Sequence, residues 1–440
     1  MAEEFVVAGA GFAALLLLIA LRAPIGFAML LVGAAGYVHI LDGAALLQYL
    51  KTTPYHLFAS YTLSVIPLFI LMGALAERGG LARDLFTAAH ALIGQRAGGM
   101  AMGVIAACAC FGAVCGSSVA TTATFGRAAL PELRRFRYAP GVATGVIAVG
   151  GTLGILIPPS IILVVYAITT EQNIAKLFMA ALIPGLLATA LYLVTIAVLA
   201  RRRPQDMPPA APIPAGARRG AFINVIPVLL IALVVIGGIY GGVFTPTESA
   251  GVGCIAVLAA GLARRTLPPR AIRDALLATA ETTAMIFAIL LGAEVFNAFL
   301  ALSQAPDLLA VWITGQGYPA YGVLALLLLS YIVLGAVMDE LAMILLTLPV
   351  FFPVVTALDF GLSPEETAIW FGILVLVVVG IGLTAPPMGL NVFVISGLAR
   401  DVPIAATYKG VLPFLVADAV RLLLLVAFPT LSLWLVRLLT

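Results

Sequence analysis

The sequence predicts an all-α polytopic membrane protein built as inverted-topology repeats, with about ten crossings, two re-entrant helical hairpins and two broken helices. Three observations predict it. The 440 residues are 63% hydrophobic and 10% charged, with a mean hydropathy of +1.16, outside the range of soluble globular chains. The basic residues collect on one side of the crossings when these are laid out in order. A diproline motif inside a long apolar run occurs once in each half, at positions 228 residues apart.

Apolar runs of roughly 17–25 residues are long enough to cross a bilayer. They occur near 5–21, 24–41, 56–76, 141–168, 177–200, 222–243, 248–263, 276–302, 366–399 and 410–436. The first, "MAEEFVVAGAGFAALLLLIAL", has no positively charged leading region and reads as a retained helix. The stretches 99–133 and 319–356 carry central Gly/Ser or Asp/Glu interruptions, so each reads as a hairpin of two short arms. With the N-terminus outside and each hairpin returning to its own side, 18 of the 23 Lys and Arg fall on the cytoplasmic face, as the positive-inside rule requires. Lys51, Lys176 and Arg437 fall outside, while Arg127 and Arg421 stay at membrane depth.

The Pro-rich "RRRPQDMPPAAPIPAGARRG" (201–220) separates a first repeat, 1–200, from a second, 221–440. Each half reads as three crossings, a hairpin, a broken crossing and a last crossing. That odd number of crossings inverts the second half relative to the first. Inverted repeats are a common plan for secondary transporters, with the site at the repeat interface.

"GGTLGILIPPSIILVVY" (150–166) and "GIGLTAPPMGLNVFVIS" (380–396) align Gly154, Pro158 and Pro159 with Gly382, Pro386 and Pro387. Proline has no N–H, so these breaks are expected to free the carbonyls of Gly154 and Ile155, and of Gly382 and Leu383. At membrane depth such groups need protein, water or an ion. A dehydrated Na⁺ is bound by several such oxygens; the alternative is a plain proline kink. The first hairpin tip, "CGSSVATTATFG" (115–126), adds hydroxyls, with Ser117 and Ser118 at the turn; each hydroxyl is also able to bond back to its own helix. The second tip, "GAVMDELAM" (335–343), carries Asp339 and Glu340, and intramembrane carboxylates are costly and usually functional.

Arg127, on the exit arm of the first hairpin, either attracts an anionic substrate or snorkels toward "RRFR" (134–137), the second reading being favoured. Asp418 and Arg421, three residues apart, suit a structural pair. In "FTPTESAGVG" (244–253), Pro246 and Glu248 suit a helix start. The four cysteines have neither metal-ligand nor disulfide spacing. No phosphate loop, zinc-protease helix or serine elbow occurs, so ATP hydrolysis and a membrane enzyme are disfavoured. The small net charge of +3 gives no reason to expect nucleic acid as a partner.

Six ordered segments resemble the large membrane subunit of tripartite ATP-independent periplasmic (TRAP) transporters. They are "IPLFILMGALAERGGLARDL" (66–85), "GAVCGSSVATTATFG" (112–126), "GTLGILIPPS" (151–160), "GVFTPTESAG" (242–251), "MDELAMILLTLPVFFPV" (338–354) and "IGLTAPPMGLNVFVISG" (381–397). The resemblance implies a bacterial inner-membrane carrier with an elevator mechanism coupled to Na⁺ and no further cofactor. It implies uptake of a small organic acid, such as a C4-dicarboxylate or sialic acid, delivered by a periplasmic binding protein. A small four-helix membrane subunit is expected as a separate polypeptide. The implied sodium ligands are Ser117 and Ser118 with Gly154, Ile157 and Pro159, and Gly335 and Asp339 with Gly382, Ala385 and Met388. The family commonly has Thr where Ala385 stands; here Thr384 precedes it. Thr121, Arg127, Thr384 and Asn391 are the substrate candidates. The rival reading is a Na⁺- or H⁺-coupled dicarboxylate carrier working alone.

Overall fold

The computed structural model describes residues 2–211 and 215–439; the middle of the expected linker, including Pro212, lies outside the described residues. The first half holds α1 (Ala2–Ala20), α2 (Ile25–Ile40), α3 (Gly43–Phe58), α4 (Val65–Arg78), α5 (Leu81–Ile93), α6 (Gly99–Cys115), α7 (Ser118–Arg135), α8 (Pro140–Leu156), α9 (Ile161–Thr169) and α10 (Ile174–Arg202). The second holds α11 (Ala215–Tyr240), α12 (Pro246–Ala263), α13 (Pro269–Ser303), α14 (Ala305–Gly315), α15 (Ala320–Gly335), α16 (Glu340–Thr356), α17 (Pro364–Gly382), α18 (Leu390–Leu398), α19 (Ile404–Ala427) and α20 (Thr430–Leu439). No strand occurs among the described residues.

Local chemistry explains the boundaries. Thr245 and Glu248 form a reciprocal capping box with Pro246 in the first turn of α12, and Ser363 and Glu366 repeat it with Pro364 on α17. Asn173 caps α10 by accepting from the N–H groups of Ala175 and Lys176. The two hairpins are α6–α7 and α15–α16. Gly116 turns the first with φ +67°, a left-handed conformation that suits glycine.

Among the described residues, seven helices are long and apolar enough to cross a membrane, and the pair α8–α9, bent by 43°, makes eight. The expected crossings 5–21 and 24–41 are shorter apolar helices, α1 and α2. Several expectations are corrected. The third crossing starts at Tyr61, in a 3₁₀ turn leading into α4, because α3 occupies the residues before it. The crossing expected at 410–436 is α19 followed by a separate α20, with Pro429 between them ending the run. Helix α10 runs through Arg202 and α11 starts at Ala215, so the connection is shorter than 201–220.

The helices sort into two packed groups. In one, α2 and α4 pack with α13, α12 packs on α4, and α1 and α11 join its edges. A β-carbon at Gly33 would lie 2.6 Å from the Phe296 backbone nitrogen, so glycine is what lets α2 lie directly on α13. The other group gathers both hairpins and both broken helices, with α8 packed on α6, α7, α18 and α19. Helix α5 packs on α6 of this group and on α11 of the other, and α14 connects α13 to α16.

Candidate functional site

At the first break, α8 stops at Leu156 and α9 resumes at Ile161, with both prolines buried. Ile157 adopts an extended conformation and its N–H bonds to the Leu153 carbonyl. The carbonyls of Gly154 and Ile155 accept no hydrogen bond from the described residues, as the missing proline donors require. The first hairpin tip lies against this break. A β-carbon at Gly154 would meet the Ser117 carbonyl at 2.6 Å and collide with Thr121 Oγ1. A β-carbon at Gly116 would lie 2.8 Å from the Pro159 carbonyl, and the N–H of Ile161 donates to the Gly116 carbonyl at 3.4 Å. Ser117 caps α7, its hydroxyl accepting from the Ala120 N–H, while Thr121 Oγ1 donates to the Ser117 carbonyl at 2.7 Å. Gly154 and Pro159 therefore meet Gly116, Ser117 and Thr121 of the tip, and their oxygens are uncharged.

The second break differs. Residues Pro386–Met388 are exposed, and the Leu383 carbonyl, expected to be free, accepts the Asn391 N–H at 3.0 Å. The Gly382 carbonyl likewise accepts a 3.3 Å bond from the Ala385 N–H. These corrections have one cause: the chain tightens into a turn after α17 and offers donors that a straight helix would not. Tyr408 Oη reaches the carbonyls of Pro387 (2.9 Å) and Met388 (2.7 Å), and the Met388 side chain is half exposed. Thr384 Oγ1 bonds back to its own helix at Ile381 (3.1 Å). Gly335 does meet Gly382: a β-carbon on the latter would lie 2.8 Å from the Gly335 backbone. Asp339 caps α16, accepting from the N–H groups of Leu341 and Ala342.

Asn391 of α18 joins the halves. Its fully buried Nδ2 donates to Ser118 Oγ at 2.7 Å and to the Ala148 carbonyl of α8 at 3.1 Å, leaving Oδ1 without a partner. Thr122 Oγ1, also buried and unpartnered, packs against Gly151 beside it. Arg127 reaches neither this cluster nor "RRFR": it forms an ion pair with Glu77 at the end of α4.

A cavity of about 360 Å³ lies between the two tips, with Ser117 and Ala120 on one side, Asp339 and Glu340 on the other, and Met285 of α13 closing it. Glu340, named with Asp339 as an intramembrane carboxylate, stands outside the implied ligand sets. It is buried, and its Oε2 has no partner. Its signal was the acidic pair in an apolar run, but only the fold shows that Asp339 caps the helix while Glu340 is the buried member. Among the described residues no three His, Cys, Asp or Glu gather as a metal cage.

Residues 12–431 match the family described as "Tripartite ATP-independent periplasmic transporter, DctM component". The chain belongs to this DctM family. The C4-dicarboxylate TRAP transporter large permease protein DctM of Pseudomonas aeruginosa is 36% identical over 377 residues, covering 85% of this chain and 86% of the relative. The sialic acid TRAP transporter large permease protein SiaM of Vibrio cholerae is 30% identical, covering 93% and 94%. The isethionate TRAP transporter permease protein DctMQ of Oleidesulfovibrio alaskensis is 30% identical, covering 95% of this chain and 64% of its own length. A solved structure, the YdaH transporter of Alcanivorax borkumensis, shares the fold with a TM-score of 0.60 at 18% identity, covering 89% and 90%. This DctM chain is thus a multi-pass membrane protein whose named relatives are transporter permeases.

Proposed function

We propose that the chain carries out Na⁺-coupled secondary active uptake of a small organic carboxylate across the bacterial inner membrane. A periplasmic binding protein delivers the substrate, and a small four-helix membrane subunit completes the carrier. The observation that carries this reading is the cavity between the hairpin tips, set beside a break whose Gly154 and Ile155 carbonyls are unpartnered. Neutral oxygens at membrane depth suit a monovalent cation without burying a compensating charge. The Asp339 carboxylate also lines the cavity, and it repels an anion until a cation is bound. Cation and carboxylate then favour each other's binding, which is the coupling free energy a symporter needs. The relatives take C4-dicarboxylates, sialic acid or isethionate by name, all small acids. Motion of the hairpin group against the group built on α13 would move the cavity between faces, in the elevator manner.

The test is uptake in proteoliposomes containing the chain, its small subunit and its binding protein. Uptake should require an inward Na⁺ gradient, and Asp339→Asn should lower the Na⁺ dependence of substrate affinity by roughly tenfold, the size of a typical coupling term. Robust uptake by the lone chain, or uptake indifferent to Na⁺, would overturn this reading in favour of the solo carrier.

A further inference from the structure

We infer that this chain has a second carboxylate site, in a basic cavity at the inner end of a route leading away from the hairpin tips. It rests on the carrier reading above. Three cavities follow one another along α7. The one between the tips, about 360 Å³, shares Ser117, Ala120 and Thr282 with a narrower one of about 160 Å³. That one shares Glu77 with the largest, about 680 Å³. The largest lies between the outer arm of the first hairpin and the turn from α4 to α5, on the face that the charge distribution assigns to the cytoplasm.

Its lining is cationic: Arg78, Arg83 and Arg127 against the single carboxylate of Glu77. A cleft lined by one sign of charge focuses the field and concentrates ions of the opposite sign. Arg78 lies 3.7 Å from Asp274. Arg83 is exposed and makes no ion pair among the described residues. Thr124 Oγ1 is buried, unpartnered and part of the same wall. Arg127 already holds a carboxylate, that of Glu77, where the narrow cavity opens into the wide one. Glu77 is thus a placeholder: an incoming carboxylate exchanges with it on Arg127 and is received by Arg83 and the Thr124 hydroxyl. Guanidinium groups suit this role because they bind carboxylates through paired N–H donors. The site gives a released anion a station outside the acidic tip cavity, which opposes its return.

Ala128→Cys places a thiol in this cavity. The solubilised full-length variant is treated with two methanethiosulfonate reagents, one ending in sulfonate and one in trimethylammonium. After correction for reaction with a free thiol, the sulfonate reagent should be favoured roughly tenfold. Arg83→Gln should remove most of that preference, and Glu77→Gln, which frees Arg127, should raise it. Succinate should slow modification in the Ala128→Cys background and fail to do so once Arg83→Gln is added. Absence of anionic preference, insensitivity to Arg83→Gln, or lack of succinate protection would each overturn the site. Arg83 is exposed and unpaired, so its replacement leaves the fold intact and the test valid. Neither Na⁺ nor uptake enters the readout, so failure here with Na⁺-driven uptake intact removes this site alone.

Discussion

Arg421 is fully buried, and its charge is met by Asp418 at 2.8 Å. Tyr192 Oη donates to both oxygens of that carboxylate, at 2.7 and 2.9 Å, and lies 3.4 Å from Thr152 Oγ1. Thr152 is two residues before Gly154, so the network connects α10 and α19 to the end of α8 that holds the unpartnered carbonyls. Removing one member of a buried pair leaves an uncompensated charge. Asp418→Ala should therefore cost about 3–5 kcal/mol of stability, against about 2 kcal/mol for Tyr192→Phe, which deletes hydrogen bonds to a charged group. Thermal unfolding in detergent separates the two, and an Asp418→Ala variant as stable as Tyr192→Phe would show that the pair is not the dominant contact. The pair itself was legible, because three residues on a helix share a face. Tyr192, 226 residues from its partner, was not.

The breaks were legible as elements because proline dictates which donors vanish, whatever the tertiary setting. Their unequal state was not. The first is covered by its hairpin tip and buried, whereas the second is exposed and its Leu383 carbonyl is taken by Asn391. That depends on how the chain folds back after the break, which spacing does not report. Helices α5 and α14 escaped notice for a related reason: at 13 and 11 residues they are too short for a search tuned to crossings. The inequality yields a prediction. Pro158→Ala with Pro159→Ala restores two donors that can recapture the Gly154 and Ile155 carbonyls, and removing interior prolines favours helix by about 3 kcal/mol each in soluble hosts. The variant should insert and stay folded, yet need about tenfold more Na⁺ for half-maximal uptake, the effect of losing some 1.4 kcal/mol of ion binding. Pro386→Ala with Pro387→Ala should shift the Na⁺ dependence less, since a donor already occupies the Leu383 carbonyl. Equal shifts from both, measured as uptake against Na⁺ concentration with insertion checked in parallel, would return the two breaks to equivalence.

For the whole molecule, the question is which face each segment occupies, and the ion pairs bear on it. Lys176 pairs with Glu365 at 2.6 Å and Arg437 with Glu366 at 2.7 Å. These join the start of α10, the start of α17 and the last helix, three places that the charge distribution puts outside. Arg134 pairs with Asp401, Arg264 with Asp84 and Arg78 with Asp274, all between segments assigned to the cytoplasm. A wrong crossing count would have left some of these partners on opposite faces. Parity still depends on α3, α5, α14 and α20 lying along the membrane or its surface, since one extra crossing would invert everything after it. We therefore expect Gln205→Cys, in the exposed connection after α10, to react with an impermeant maleimide only from the cytoplasmic side. Asp359→Cys, exposed after the second hairpin, should react only from the periplasmic side. In right-side-out spheroplasts the second should label at once and the first only after lysis. Labelling of both from the same side would mean that α14, the short helix between them, crosses. The second half would then run parallel to the first, and the inverted repeat would be lost.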